Sequence, residues 1–99
     1  MSRIQALLIG AAVLVMAGCR PSTKTVPDYL HDIDSANAQV EKYHRDPAKY
    51  GADPDVMNAG SAVSTVMTSA KLRSCWPTKG PVATVTTDHA CVDRQGYTR

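Results

Sequence analysis

Hydrophobic residues in the middle of the chain recur at helical spacing in two stretches. In the first stretch, steps of four and three residues place one apolar stripe along a helix, formed by Tyr29, Ile33, Ala36, Val40 and Tyr43. In the second stretch the same spacing joins Val56, Ala59, Val63, Val66, Met67 and Ala70. The pattern predicts one amphipathic helix over residues 26–44 and a second from Pro54 to about Leu72.

Capping signals mark where both helices start. Thr25, with Asp28 three residues later, approximates a capping box for the first helix. Asp53 and Pro54 form a similar start signal for the second, and Pro47 disfavours a continuous helix between them. Two amphipathic helices joined by a short loop bury their stripes most simply as an antiparallel hairpin. The sequence therefore predicts an all-α fold.

The last quarter of the chain has no helical periodicity. Residues 82–87 are rich in Val and Thr and could form a short extended run, although no partner strand is visible. Residues 88–99 are polar and could be disordered. We therefore expect a helical hairpin domain at residues 25–73 and an irregular, cysteine-containing tail at residues 74–99.

The first residues have the layout of an export signal. Arg3 is followed by an apolar run over residues 4–16 and then by the small residues Ala17 and Gly18. The run is shorter than the roughly 20 residues that a membrane-spanning helix needs. We predict that residues 1–18 are a secretory signal peptide.

The motif Met16-Ala17-Gly18-Cys19 resembles the lipobox of bacterial lipoproteins, with Met16 where that motif usually has Leu. The resemblance implies cleavage before Cys19, whose thiol is acylated and becomes the new N-terminus. Several acyl chains hold a protein stably at a membrane, because each buried methylene contributes about 0.8 kcal/mol. Residues 19–24 would then be a polar, lipidated tether.

The lipobox also predicts location. A lipid anchor on an exported chain places the domain in the cell envelope, facing the periplasm. Arg20 stands where an Asp would favour inner-membrane retention under the enteric sorting rule, so the outer membrane is slightly favoured.

Composition and charge exclude several classes of function. The chain has 11 Lys and Arg against 9 Asp and Glu, and these charges are interspersed along it. A nucleic-acid partner is therefore not expected, because no basic stripe could follow a phosphate backbone. A domain this small has little room for an enzyme-style pocket, and no small-molecule substrate is predicted.

Catalytic motifs are also missing from the sequence. Asp32 and Asp34 point to different faces of the predicted helix and so do not form a facing acid/base pair. Neither a nucleophile elbow nor a glycine-rich phosphate loop is present. The sequence predicts a protein that is not an enzyme.

Three histidines and two cysteines raise the question of a zinc site, the histidines being His31, His44 and His89. No two of these residues have ligand spacing within one element, and an oxidising compartment favours a disulfide over thiolate ligands. We therefore expect no metal, no cofactor other than the covalent lipid on Cys19, and histidines that are exposed or lie beside neighbours on a helix face.

A set of residues between positions 25 and 62 carries a family resemblance. Together with the lipobox cysteine, it consists of Thr25-Val26 followed by Tyr29, the pair Asp46-Pro47, and Asp53-Pro54 followed by Asn58-Ala59 and Ala62. These features resemble the EexN family of entry-exclusion lipoproteins, which are associated with conjugative transfer systems. The resemblance implies a tethered protein that binds a component of an incoming transfer apparatus and keeps a donor from re-entering a cell that already carries the element.

The cysteines depart from the family pattern. Tyr43 and Val56 occupy two positions where the family typically has cysteines. Cys75 and Cys91 lie outside the matching region instead, and in the periplasm they are expected to pair. Closing a loop of this size stabilises a fold by roughly 3 kcal/mol in the chain-entropy model.

Aromatic residues are the candidates for partner binding, provided that they are exposed. Trp76 either anchors a partner or packs against the disulfide or the helix pair, and the tyrosine candidates are Tyr29, Tyr43 and Tyr50. Two other functions stay open. One is a small structural lipoprotein of a type IV secretion channel core, and the other is an envelope-stress or bacteriocin-immunity lipoprotein.

Overall fold

The computed structural model describes residues 23–99, and within them the fold is all-α, as predicted. Six α-helices and one 3-10 turn follow each other, with no strand in this part of the chain. They are α1 Val26–Leu30, α2 Ile33–Arg45, α3 Pro47–Tyr50, α4 Pro54–Thr68, α5 Ala70–Arg73, the 3-10 turn Thr84–Thr86 and α6 His89–Arg94. The predicted signal peptide and Cys19 lie outside the described residues. None of the helices between residues 23 and 99 has the length and hydropathy needed to cross a membrane.

The two long helices, α2 and α4, form the predicted antiparallel hairpin. The start of α2 lies beside the end of α4, where Ile33 shares a groove with Val66. The end of α2 lies beside the start of α4, where Tyr43 shares a cleft with Val56. The predicted apolar stripes supply much of the core of the pair, formed on the first side by Tyr29, Ile33 and Ala36 and on the second by Ala59 and Val66.

The first predicted helix is interrupted, and here the prediction of one helix over residues 26–44 is wrong. The chain leaves the helix after Leu30, and Asp32 caps a new helix, since its carboxylate accepts hydrogen bonds from Ser35 N (3.4 Å) and Ser35 Oγ (2.7 Å). The break turns Leu30 and His31 fully into the interior, with exposed fractions of 0% and 1%. Thr25 caps the preceding helix through the predicted capping box.

Two other polar residues divide the remaining helical sequence. Asp46 accepts from Lys49 N at 3.2 Å and starts α3, a short helix in the stretch that was predicted to be a loop. Ser69 accepts from Leu72 N at 3.2 Å and separates α5 from α4, so the second predicted helix also has a break. The chain turns at Ser69, and Leu72 enters the core.

The C-terminal quarter is ordered, contrary to the prediction of an extended run and a disordered end. Residues 82–87 contain the 3-10 turn instead of a strand. Residues 88–99 include α6, which Asp88 caps by accepting from Cys91 N at 3.1 Å. Val92 on this helix is fully buried in the same core as Trp76. This segment escapes a periodicity search because six residues contain less than two helical turns.

Asp32 also ties this C-terminal part of the chain to the hairpin. Thr84 Oγ donates to Asp32 Oδ1 at 2.9 Å and accepts from the backbone N of Asp34 at 3.0 Å. Thr84 N donates in turn to Asp34 Oδ1 at 3.2 Å. The two acidic residues that the sequence placed on different helix faces therefore meet at one threonine. Asp32 caps α2, and both aspartates link Thr84 to the hairpin. This arrangement suits a structural role.

Replacing Asp32 with Ala is expected to lower the free energy of unfolding by about 1 kcal/mol at pH 7, because a helix cap is lost. The hydrogen bonds from Ser35 and Thr84 hold the pKa of Asp32 below its ordinary value. A lowered folded-state pKa contributes stability that is present above the unfolded value of about 3.9 and is lost as the pH falls further. Urea denaturation should therefore show the gap between wild type and D32A at pH 7 and a smaller gap at about pH 3. Asp46→Ala is the control, because Asp46 caps α3 at an exposed position. An equal gap in stability between wild type and D32A at both pH values would contradict this pH-dependent role of Asp32.

Candidate binding groove

An open groove lies where the start of α2 runs past the end of α4 and the short helix α5. It has a volume of about 610 Å³. Its lining is mostly apolar and consists of Ile33, Asn37, Val63, Val66, Met67, Thr68, Ser69, Ala70, Arg73 and Val82. We call this feature the α2/α4 groove.

The break at Ser69 creates the groove. Because the chain turns at Ser69, Ala70 and Arg73 of α5 line the groove beside the end of α4, together with Val82. Ile33 and Val66 are buried and form the floor. Met67 stands at the edge with 80% of its surface exposed. A flexible, polarisable Met side chain at the edge of a groove suits contact with an apolar partner segment.

The groove has a basic edge. Arg73 is the one charged side chain among the described residues that line it. Its Nη1 donates to the carbonyl of Pro77 at 3.1 Å, which positions the guanidinium, and no other acceptor among residues 23–99 engages its remaining donors. Asn37 adds an amide to the lining. The groove is therefore complementary to an apolar segment that carries an acidic side chain.

The four aromatic candidates divide into two buried and two accessible residues. Trp76 is 3% exposed, and its Nε1 donates to Thr87 Oγ at 2.8 Å. Tyr29 is 1% exposed and donates to Asp55 Oδ1 at 2.9 Å; burial raises the pKa of Tyr29, and the hydrogen bond to Asp55 adds to the rise. Tyr43 is exposed and Tyr50 is half-buried. The condition of exposure therefore excludes Trp76 and Tyr29 as partner contacts.

The accessible tyrosines lie at the opposite end of the hairpin from the α2/α4 groove. Tyr43 lines a smaller cleft of about 290 Å³ with Val56 and Met57. Tyr50 is flanked by two ammonium groups, with Lys42 Nζ 5.5 Å and Lys49 Nζ 5.2 Å from the ring centroid. Sequence reasoning missed the α2/α4 groove because it depends on a helix break, and the Ser69 cap was the one local signal that could have indicated it.

Lys24 is held on the domain, although it was predicted to belong to the tether. Its backbone N donates to Asp55 Oδ1 at 2.9 Å, and its carbonyl accepts from Asn58 Nδ2 at 2.8 Å. Its ammonium lies 3.8 Å from Asp32 Oδ2 and 5.7 Å from the centroid of the Tyr29 ring. The folded domain therefore starts at or before Lys24.

The predicted cysteine pair is present, whereas the expectation for the histidines holds only in part. Cys75 and Cys91 form the predicted disulfide, with Cα atoms 5.4 Å apart. Between residues 23 and 99 no group of three or more His, Cys, Asp or Glu side chains is arranged to hold a metal ion. His44 is exposed, as expected. His31 is buried between α1 and α2 and contacts His89. The expectation that each histidine is exposed or lies beside neighbours on a helix face is therefore wrong at His31, which the helix break turns inward.

Comparison of the chain with protein-family models, with curated proteins and with solved structures finds no match. The features of this chain that bear on its function are the geometry of the α2/α4 groove and the sequence resemblance at residues 25–62.

Proposed function

We propose that this protein is a lipoprotein of the cell envelope that blocks redundant conjugative DNA transfer into the cell. It would be anchored through Cys19, face the periplasm and act by binding a component of the transfer apparatus, without catalysis. The resemblance at residues 25–62 suggests the exclusion role. The observation that carries the proposal is the α2/α4 groove, an open apolar surface of a size suited to a peptide segment.

The groove suggests the chemistry of the partner. An amphipathic helix or an extended segment with apolar side chains would cover Val63, Val66 and Met67. An acidic side chain on that segment would pair with Arg73 at the edge. When the groove binds such a segment of an incoming apparatus, the segment can no longer make the contacts that the apparatus needs.

Attachment of Lys24 to the domain keeps the domain near the membrane. Five residue steps separate Cys19 from Lys24, and an extended chain spans about 3.3–3.6 Å per residue, so these Cα atoms are at most about 18 Å apart. A domain on so short a connection stays beside the bilayer. An exclusion factor in this position meets the apparatus where it reaches the recipient surface.

A mating assay tests the proposal directly. A plasmid-free recipient that produces this protein should receive the related element less often than a recipient without it, and the Cys19→Ala form should restore transfer. If the wild-type protein changes transfer from no donor that carries the related element, the exclusion function is wrong.

The same cells separate the two alternative functions. A structural lipoprotein of a secretion channel would co-purify with the channel of its own cell and be required in the donor. An immunity lipoprotein would protect against a toxin and leave conjugation unchanged.

Met67→Lys is expected to abolish most of the exclusion, with transfer rising about tenfold or more towards the level of the empty recipient. A lysine at this position replaces an apolar contact with an ammonium group that loses hydration when apolar side chains of the partner cover it. A lost contact worth about 1.4 kcal/mol corresponds to a factor of ten in binding. Met67 is exposed, so the substitution should leave folding within about 0.5 kcal/mol of wild type. Met57→Lys is the matched control, because Met57 is also an exposed methionine of α4, 59% accessible, but lines the other cleft. Equal effects of the two variants would contradict a role for the groove while leaving the exclusion function itself intact.

A further inference from the structure

His31 and His89 form a close pair between distant parts of the chain. His31 lies between α1 and α2 and is 1% exposed. Its Nδ1 is 2.7 Å from the Nδ1 of His89, the first residue of α6. The two ring planes are within 13° of parallel and the ring centroids are 4.9 Å apart. This arrangement suits a hydrogen bond between the facing nitrogens.

The other nitrogen of His31 has only acceptors beside it. Nε2 lies 3.0 Å from the carbonyl oxygen of Tyr97 and 2.9 Å from Asp93 Oδ1. A carbonyl and a carboxylate cannot donate, so Nε2 carries a proton. His31 therefore links the hairpin to α6, through His89 and Asp93, and to Tyr97, which follows α6 in the chain.

The geometry limits the number of protons on the pair. The 2.7 Å contact needs one nitrogen that donates and one that accepts. When both rings are neutral, His89 donates and His31 accepts; when His31 is protonated, it donates and His89 accepts. A second added proton would place two N–H groups face to face on two cations. The closed pair can therefore take up one additional proton, but not two.

The charged groups around the pair lie on α6 and beside the two histidines in sequence. Asp93, whose side chain is 46% exposed, lies 2.9 Å from Nε2 of His31. The carboxylates next to the pair in sequence have other partners. Asp88 accepts from Cys91 N, and Asp32 accepts from Ser35 and Thr84. Arg94, in the last turn of α6, adds further positive charge to the same helix.

We propose that the His31–His89 pair is an acid-sensitive latch that holds residues 88–97 against the core. An unfolded histidine takes up its proton near pH 6.5, so an open segment binds two protons below about pH 6 where the closed one binds a single proton. Acid therefore favours the open form, and the contribution of the pair to stability is present at neutral pH and lost as the pH falls.

Opening is local because the segment stays covalently attached. The Cys75–Cys91 disulfide holds α6 to the loop after α5 while the noncovalent contacts separate. Val92 and Leu30, both fully buried in the closed form, would then be exposed. The latch thus gives an acid-dependent apolar surface, distinct from the α2/α4 groove.

Amide hydrogen exchange on the full chain at pH 7.5 and pH 5.0 tests the latch, with rates corrected for intrinsic chemistry. We expect protection of residues 88–97 to fall about tenfold relative to α4 on acidification of the wild type, the equivalent of one lost interaction. His89→Gln should abolish this response, because a carboxamide either donates to or accepts from His31 without taking a proton. His44→Gln is the matched control, since His44 is exposed, and should respond like the wild type.

Two results would overturn the proposal: full protection of residues 88–97 in the wild type at pH 5.0, or equal loosening of H89Q and wild type. Nitrogen NMR of the imidazoles needs only the wild-type protein, so it decides the question even if H89Q does not fold. Proton uptake by His31 and His89 in two separate steps, the second with loss of protection, supports the latch. Two independent, overlapping titrations contradict it.

Discussion

Trp76→Ala is expected to lower the free energy of unfolding by about 3–5 kcal/mol, the largest single-residue effect that we predict. The indole is 3% exposed and belongs to the core that joins the hairpin to the C-terminal segment. Its removal leaves a cavity. It also removes the hydrogen bond that Trp76 Nε1 donates to Thr87 Oγ at 2.8 Å. Urea denaturation followed by circular dichroism should show the midpoint shift.

Trp76→Phe provides the control for this prediction. It keeps most of the packing volume and loses the N–H donor, so a cost of about 1–2 kcal/mol is expected. The pair of variants also decides between the two roles that the sequence left open for Trp76. If W76A kept wild-type stability and lost exclusion in the mating assay, the residue would be an interaction anchor, and its assignment to the core would be wrong.

Loss of the disulfide should be nearly as severe. The double variant C75A/C91A is expected to lose about 3 kcal/mol, because the bridge closes a loop between cysteines separated by 16 positions and restricts the unfolded chain. In a domain of this size, that loss corresponds to a fall in melting temperature of roughly 10–20 °C. Thermal unfolding of the oxidised wild type and the double variant measures the difference.

Chemical reduction of the wild type is the control for the disulfide, because it opens the bridge without deleting side-chain atoms. The reduced protein should melt close to the double variant. A double variant that melts within a few degrees of the oxidised wild type would show that packing of Val92 and Trp76 alone holds the C-terminal segment.

The parts of the fold that follow from short-range signals could be predicted from the sequence. Thr25 and Asp53 cap the helices whose starts they were predicted to mark. Most residues of the two predicted stripes are buried or half-buried, but Tyr43, Met67 and Ala70 are exposed. Caps act within three residues and stripes within a few turns, so a single sequence contains the information that they need.

The interruptions were harder to predict because each depends on tertiary contacts. Asp32 has the side chain of a capping residue, but in an uninterrupted pattern it is equally a residue of the polar face. What selects the break is burial of Leu30 and His31, and the partners of His31 lie 58 and 66 positions away. Local propensity does not include contacts at that separation.

The candidate site could be predicted only in part, because it also depends on tertiary contacts. The apolar character of Val63, Val66 and Met67 is visible in the second stripe, but their shared groove appears only when the chain turns at Ser69 and Val82 returns to them. The aromatic residues illustrate the opposite case, since nothing in the sequence separates Trp76 and Tyr29, which are buried, from Tyr43, which is exposed.

The position of the last contacts in the chain has a consequence for biogenesis. Leu30 and His31 are covered by a segment that extends to Tyr97. A chain that emerges from a ribosome N-terminus first therefore leaves these two side chains uncovered until Tyr97 has emerged. Loss of Tyr97 by truncation would remove the carbonyl that His31 Nε2 contacts and leave this closure incomplete.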